Sequence, residues 1–350
     1  MIYQSFNEKK RFYPGSHCIN EVNDFDNLYR KLERNKNLIF RGMNESKYKL
    51  LTSLQRNFLC GKINNTKYNQ KQFMYEEVDR LKNSILSSYY KSLGVPVNDY
   101  LYMSFLQHYE SPTSLMDFTE DIDVSLYFAS RDPNYERGVV EENDILNYVS
   151  LYWINVSAGD GLQPIYKSVL KCFFEGIDAL LFKEISCKEI ESLINYCLSV
   201  DYLSTLQIGV IRGHNASRYK RLFLEEPWYK EMNHTILTFM KTRSRSAYNA
   251  IVNSVEFLFK KAIVIANLNQ VAQRGCFIHY MPEMIKMPLE EFAFKDANGR
   301  FIINCVNIHK SLCPYIQHRI ATKNINTGTL FPQPKIISLE AYQDAMSSIL

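Results

Sequence analysis

Hydrophobic positions recur along the chain at helical and strand spacings, and each spacing predicts an element. Phe25, Leu28, Tyr29 and Leu32 fall at helical intervals and predict a helix over Asp24–Glu33. Asn35–Asn37 breaks the pattern, and Leu38-Ile39-Phe40 reads as a short strand delivering Arg41 and Gly42 at its end. From Gln70 to Leu93, Phe73, Met74, Val78, Leu81, Ile85 and Leu86 trace one long amphipathic helix, stopped by Gly94-Val95-Pro96. A helix over Asn98–Tyr109 comes next, then a turn at Ser111-Pro112-Thr113 and an extended piece through Phe118. Thr119 is placed to cap a third helix, with Asp121 and Asp123 in its first turn and Val124, Tyr127 and Phe128 as its buried stripe.

Further along, Asn147–Val156 is aromatic and β-branched and reads as a strand, as do Ala262–Leu268, Cys276–Tyr280 and Phe301–Ile308. Between them, Lys188–Leu206 and His234–Lys261 carry the helical period, and a last helix over Lys310–Thr322 precedes Gly328–Pro332. No repeat, low-complexity tract or linker interrupts the chain. The pattern predicts one α+β domain over residues 1–350, built of mixed small sheets with surrounding helices and a mostly helical insertion at 157–262.

Composition narrows the class. With 46% hydrophobic and 22% charged residues the chain is globular rather than disordered. A net charge of +4 over 350 residues is too small for a strongly basic nucleic-acid binder, so any such function must be local. Its two candidate stretches, residues 214–221 and 241–245, read first as solvated surface and second as phosphate contacts. Eight cysteines with no CxxC pair sit among apolar neighbours, as buried thiols do in a reducing compartment. The start of the sequence has charges where a signal peptide would need an apolar stretch, and no apolar run approaches the roughly 18 residues of a membrane span. The expectation is a cytoplasmic protein without membrane contact. His309, Cys313 and His318 match no zinc spacing and are read as residues on a helix near the core, so no metal site is assigned.

Chemistry concentrates in two places. An arginine on a strand has its guanidinium stem fixed, and a following glycine lets a ligand approach the backbone, so Arg41-Gly42 suits a phosphate or carboxylate. Gln107, His108, Thr113, Ser114, Asp117 and Thr119 pack six hydrogen-bonding side chains among apolar residues. Such density is costly unless the groups pair or bind something. Architecture is the competing reading: His108 packing a turn, Asp117 holding backbone amides or an arginine. Ser114, His108 and Asp117 contain the residue types of a hydrolytic triad, but no Gly-x-Ser-x-Gly is present and the three lie too close in sequence for triad geometry.

Phe40-Arg41-Gly42 resembles the signature of the FRG-domain family, and Leu106–Ala129 resembles that family's most characteristic run. Thr52–Arg56, Asn269–Phe277 and Gly328–Pro332 are similar to its smaller elements, whereas residues 157–262 are least covered. Glu110, Ser114 and Phe118 stand where the family usually has glycine, arginine and tryptophan. The family is widespread in bacteria and phages, which implies a role such as phage defence. The order Arg41, Thr113-Ser114, Phe128-Ala129, Gln273 also resembles ADP-ribosyltransferases of the arginine-serine-glutamate kind, implying an NAD-using enzyme with an ADP-ribosyltransferase-like core. On that resemblance Arg41, His108, Asp117 and Gln273 are the catalytic candidates, and Arg41, Gly42, Thr113, Ser114, Thr119 and Phe128 bind the cofactor. Neutral Gln273 departs from the expected glutamate and leaves Asp117 as the local carboxylate. The alternative is a non-enzymatic module that binds a nucleotide or nucleic acid. Either reading requires Arg41 within about 15 Å of Thr113 and Asp117, the reach of one nucleotide-sized ligand.

Overall fold

The computed structural model describes residues 1–92, 97–109, 111–131, 144–156, 187–206, 208–212, 227–262, 268–292 and 302–332, with isolated residues between 165 and 174. The chain runs α1 (Phe6–Lys10), β1 (Cys18–Ile19), α2 (Val22–Glu33) and β2 (Leu38–Met43). Helices α3 (Ser53–Leu59), α4 (Gln70–Lys82), α5 (Ile85–Ser92) and α6 (Asp99–His108) lead to β3 (Leu115–Thr119) and α7 (Ile122–Ser130). Next come β4 (Tyr148–Asn155), α8 (Cys187–Cys197), α9 (Val200–Leu206) and β5 (Ile208–Arg212). Then follow α10 (Pro227–Thr242), α11 (Arg245–Ala262), α12 (Leu268–Ala272) and β6 (Gly275–Tyr280). Last are β7 (Ile303–His309), α13 (Cys313–Ala321) and α14 (Thr327–Leu330).

Among the described residues seven strands join one sheet in the order β1-β7-β4-β2-β3-β6-β5. Of these neighbours β1 and β7 pair in parallel, and the others pair antiparallel. Strand alternation sends Phe40, Leu151, Val306 and Ile308 to one face, where they pack against α2, α7 and α13. On the same face, further along the sheet, Leu115, Phe277 and Ile211 pack against α4, α6 and the helices of the 187–262 stretch. The opposite face, with Ile39, Tyr152, Met116 and Ile278, is covered by the N-terminal segment through Tyr3 and Tyr13 and by Leu289. One face therefore carries two separate helical layers, and their boundary falls between β2 and β3.

Several expectations are corrected. The strands form one seven-stranded sheet rather than small separate ones, because β2 and β3 do pair at one point. Arg41 and Gly42 lie inside β2, which continues in register with β4 as far as Met43. The 70–93 helix breaks at Asn83-Ser84, where Asn83 Nδ2 and Ser84 Oγ join their own backbone amides in donating to the carbonyls of Asp79 and Leu81. Thr119 ends β3 and Asp121 caps α7 instead, accepting from the Asp123 amide at 2.9 Å. The 157–262 stretch, mostly helical where described, also supplies β5, an edge strand paired with β6. Gly94–Pro96 and the interior of the expected 262–268 strand lie outside the described residues, and the flanks of that strand are helical. Cys18 and Cys60 are exposed, whereas Cys197, Cys276, Cys305 and Cys313 are buried. Among the described residues no His, Cys, Asp or Glu group could hold a metal, and no helix is long and apolar enough to cross a membrane.

At Gly42 a helix packs directly against the sheet. A Cβ there would lie 1.8 Å from the Ser125 carbonyl oxygen and 2.8 Å from the Ala129 amide nitrogen, so α7 rests directly on the β2 backbone. The glycine is required by a helix, not by a ligand. Gly42→Ala is expected to destabilise the protein by at least ~4 kcal/mol or to prevent folding, because both clashing atoms are backbone. Gly15→Ala, with nothing within 4 Å, is the control and should shift stability by no more than about 0.5 kcal/mol in denaturant unfolding. An unchanged midpoint for Gly42→Ala would refute the contact.

Candidate functional site

β2 and β3 share a single register pair, Phe40 with Thr119, whereas each pairs along its length with its other neighbour. Beyond that pair the strands part, and a cavity of about 520 Å³ opens between them. Its walls are Arg41–Asn44 on one side and Asp117–Thr119 on the other, with the end of α6, the Ser125–Phe128 side of α7, Gln273 and Phe331 completing it. The volume is within the range of small-molecule sites.

Arg41 reaches across the opening. Its Nη1 donates to the Asp117 backbone carbonyl at 2.6 Å and lies 3.9 Å from that residue's carboxylate. The side chain is mostly buried, at 18% exposure, and its Nε is buried with no hydrogen-bond partner. Burial draws the guanidinium below its ordinary value, with Asp117 opposing the shift and Arg56 adding to it. An arginine so placed stays charged, and its unused donor is costly unless a ligand takes it. Asp117 is itself 61% exposed and is the one carboxylate among the described lining residues.

A short chain of hydrogen bonds fixes Asp117. Gln107 Nε2 donates to the Asp117 carboxylate at 2.6 Å, while Gln107 Oε1 accepts from the Thr113 hydroxyl at 2.5 Å. Ser53 Oγ in turn accepts from the Thr113 amide at 2.9 Å. Beside them, His108 Nε2 lies 2.9 Å from Asn269 Nδ2. An amide nitrogen only donates, so this ring nitrogen is unprotonated. Burial also pulls His108 below the usual histidine value, against the field of Asp117. The wall of one cavity thus holds a neutral imidazole, one carboxylate and a guanidinium.

The expected site residues divide into groups. Arg41, Gly42, His108, Asp117, Thr119, Phe128 and Gln273 line the cavity, and Thr113 stands behind it, bonded to Gln107. Thr119 and Gln273 are occupied: the Thr119 hydroxyl donates to the Gln273 carbonyl (2.7 Å), and Gln273 Nε2 donates to the Leu330 carbonyl (3.1 Å). That bond holds the segment at the end of α14, where Phe331 meets Phe128 edge to face, ring centroids 6.1 Å apart. Ser114 is corrected. It is fully buried, and its hydroxyl lies 3.1 Å from His279 Nδ1, away from the cavity. Sequence reasoning assigns no role to Gln107 as the tether of Asp117, to Asn269 or to Phe331. The last two fall in recognisable short motifs, but only the fold brings them to this wall. Of the basic stretches, 214–221 lies outside the described residues, and Lys241–Arg245 spans the turn between α10 and α11, with all three of its cations exposed.

The class defined by these features is an α+β protein with its cleft at the parting of two strands in one mixed sheet. The model of the FRG domain matches residues 36–138, a stretch containing β2, β3 and α7 and hence most of the cleft wall. The chain therefore carries an FRG domain. Searches of curated proteins and of solved structures gave no match.

His279 gives this region a testable pH dependence. Its Nε2 donates to the Leu203 carbonyl at 2.9 Å, and complete burial lowers its pKa to about 4. An unfolded histidine titrates near ~6.5, so the unfolded chain binds the proton first as pH falls. Stability from this group is full above that value and is lost as pH drops toward about 4, by roughly 3 kcal/mol. His279→Gln keeps an acceptor for Ser114 and a donor for Leu203 but does not titrate. Its unfolding free energy should fall less steeply over this pH interval, and curves parallel to the wild type would refute the assignment.

Proposed function

We infer that the cleft between β2 and β3 is a nucleotide site that takes NAD, which makes this an ADP-ribosyltransferase-like FRG-domain protein. The observation carrying the reading is Arg41: a mostly buried guanidinium with an unpartnered Nε at the wall of a nucleotide-sized cavity. A phosphate would supply the missing acceptor. Phe128 and Phe331 offer aromatic surface for a base or a nicotinamide ring. When bound, NAD supplies a transferable ADP-ribosyl group with nicotinamide as the leaving group. Asp117 is then the chain's source of negative charge beside the reacting centre, oriented by Gln107.

A non-catalytic reading is favoured by Gln273. This residue stands where the transferase resemblance expects an acid, and its side chain holds the Leu330 carbonyl instead. The two readings share the ligand and differ in turnover.

Calorimetry with NAD and an assay of nicotinamide release separate them. Arg41→Ala is expected to weaken NAD binding by roughly 10- to 100-fold, the worth of a hydrogen bond to a charged group. Asp117→Asn should retain binding and lose nicotinamide release. Equal NAD affinity in wild type and Arg41→Ala would overturn the site, and binding without release in the wild type would make it a binding module.

A further inference from the structure

We propose that the turn joining α10 to α11 docks single-stranded nucleic acid, with Lys241, Arg243 and Arg245 on its phosphates and Tyr248 against a base. None of these four residues lines the cleft between β2 and β3. From Met232 to Val255, between Glu231 and Glu256, the chain contains these three cations and no aspartate or glutamate, so the stretch around the turn carries +3 of formal charge. Solvated helix surfaces ordinarily intersperse both signs. Here all three cations are exposed, and none forms an ion pair among the described residues.

The backbone supports the same reading. Arg243 has φ +50, the left-handed conformation that a helix end usually gives to glycine or asparagine. A charged side chain occupies a position where glycine would be less strained. Its guanidinium lies over the Phe239 ring, 5.6 Å from the centroid. Beside it Tyr248 is 41% exposed, while its ring stacks on Phe174 at 5.6 Å and 16°. Phe239 flanks that ring at 5.9 Å. A tyrosine braced from below and open above is the kind of platform on which an unpaired base stacks. The cations beside it suit a phosphate backbone, and the aromatic platform favours a single strand over a duplex, whose bases are already stacked.

Fluorescence anisotropy of the full chain with fluorescein-labelled 20-nucleotide oligo(dT) and oligo(U) tests this. Binding to either strand supports the proposal, and the ratio of the two affinities assigns DNA or RNA as the source. With three phosphates engaged, log affinity should fall with log salt at a slope of about −2. The variant K241Q/R243G/R245Q should lose at least tenfold in affinity at 50 mM KCl and flatten that slope. Tyr248→Leu, which keeps the packing on Phe174, should lose roughly tenfold and keep the slope. The wild-type slope needs no variant, so a folding defect in either leaves the test intact. No binding to either oligonucleotide at 50 mM KCl would overturn the proposal, as would a wild-type slope near zero. So would undiminished affinity in a folded triple variant, or retention on phosphatidylserine vesicles in place of the oligonucleotides.

Discussion

The contact between Gly42 and α7 governs the rest of this structure. A helix can rest on a strand at backbone distance only where the strand has no side chain, and here the Ser125 carbonyl occupies the space a Cβ would need. α7 follows β3 directly in sequence, yet it packs on β2, the neighbouring strand. The short link through Glu120 and Asp121 therefore holds β3 beside β2 at Thr119, while the rest of β3 follows β6. Cleft and helix are two results of one close approach. Beyond that pair β2 follows β4 and β3 follows β6, and α7 supplies the wall of the opening with Val124, Ser125 and Phe128.

Buried polar groups show why the opening draws attention to Arg41. The protein buries another cation, Lys9, completely, and satisfies it: Nζ donates to Ser46 O, Ser150 Oγ and Asn307 Oδ1 at 3.0, 2.6 and 2.8 Å. It also lies over the Tyr152 ring. An ammonium has three donors and here each has an acceptor, so burial is tolerable even though it lowers the Lys9 pKa. Arg41 lies in register beside the same Tyr152 on the next strand, and its Nε has no such acceptor. In one sheet the same problem is solved for one cation and left open for the other, and the open one faces a cavity.

Much of this was legible in the sequence, for reasons that differ by element. Helices α2, α6 and α13 and strands β4, β6 and β7 follow from local periodicity, because each has one apolar face or two buried faces of ordinary length. β1, two residues long, and β5, short and at the sheet edge, carry too little pattern to be seen. Motif order along the chain, together with the polar density of Gln107–Thr119, points to one site shared by Arg41, Thr113 and Asp117. Ser114 was misplaced because neighbours just before a strand point to opposite faces: Thr113 turns to Gln107 and Ser114 to His279. Gln273 was placed in the right wall but not in its task, since its partner Leu330 lies 57 residues further on. Partners so distant leave no local trace.

The pairing of β1 with β7 also bears on how the protein comes into being. The first strand of the chain hydrogen-bonds to the last, with Cys18 opposite Asn307, and Lys9 closes on the same strand. β4 also needs β7 along nearly its whole length. During synthesis the central strands therefore wait, one edge unpaired, until the ribosome has released residues near 309. Pairings this remote in sequence form slowly. Assembly of this sheet thus waits on residues near 309, and until they emerge the chain presents an open strand edge that other chains, or a chaperone, can meet first.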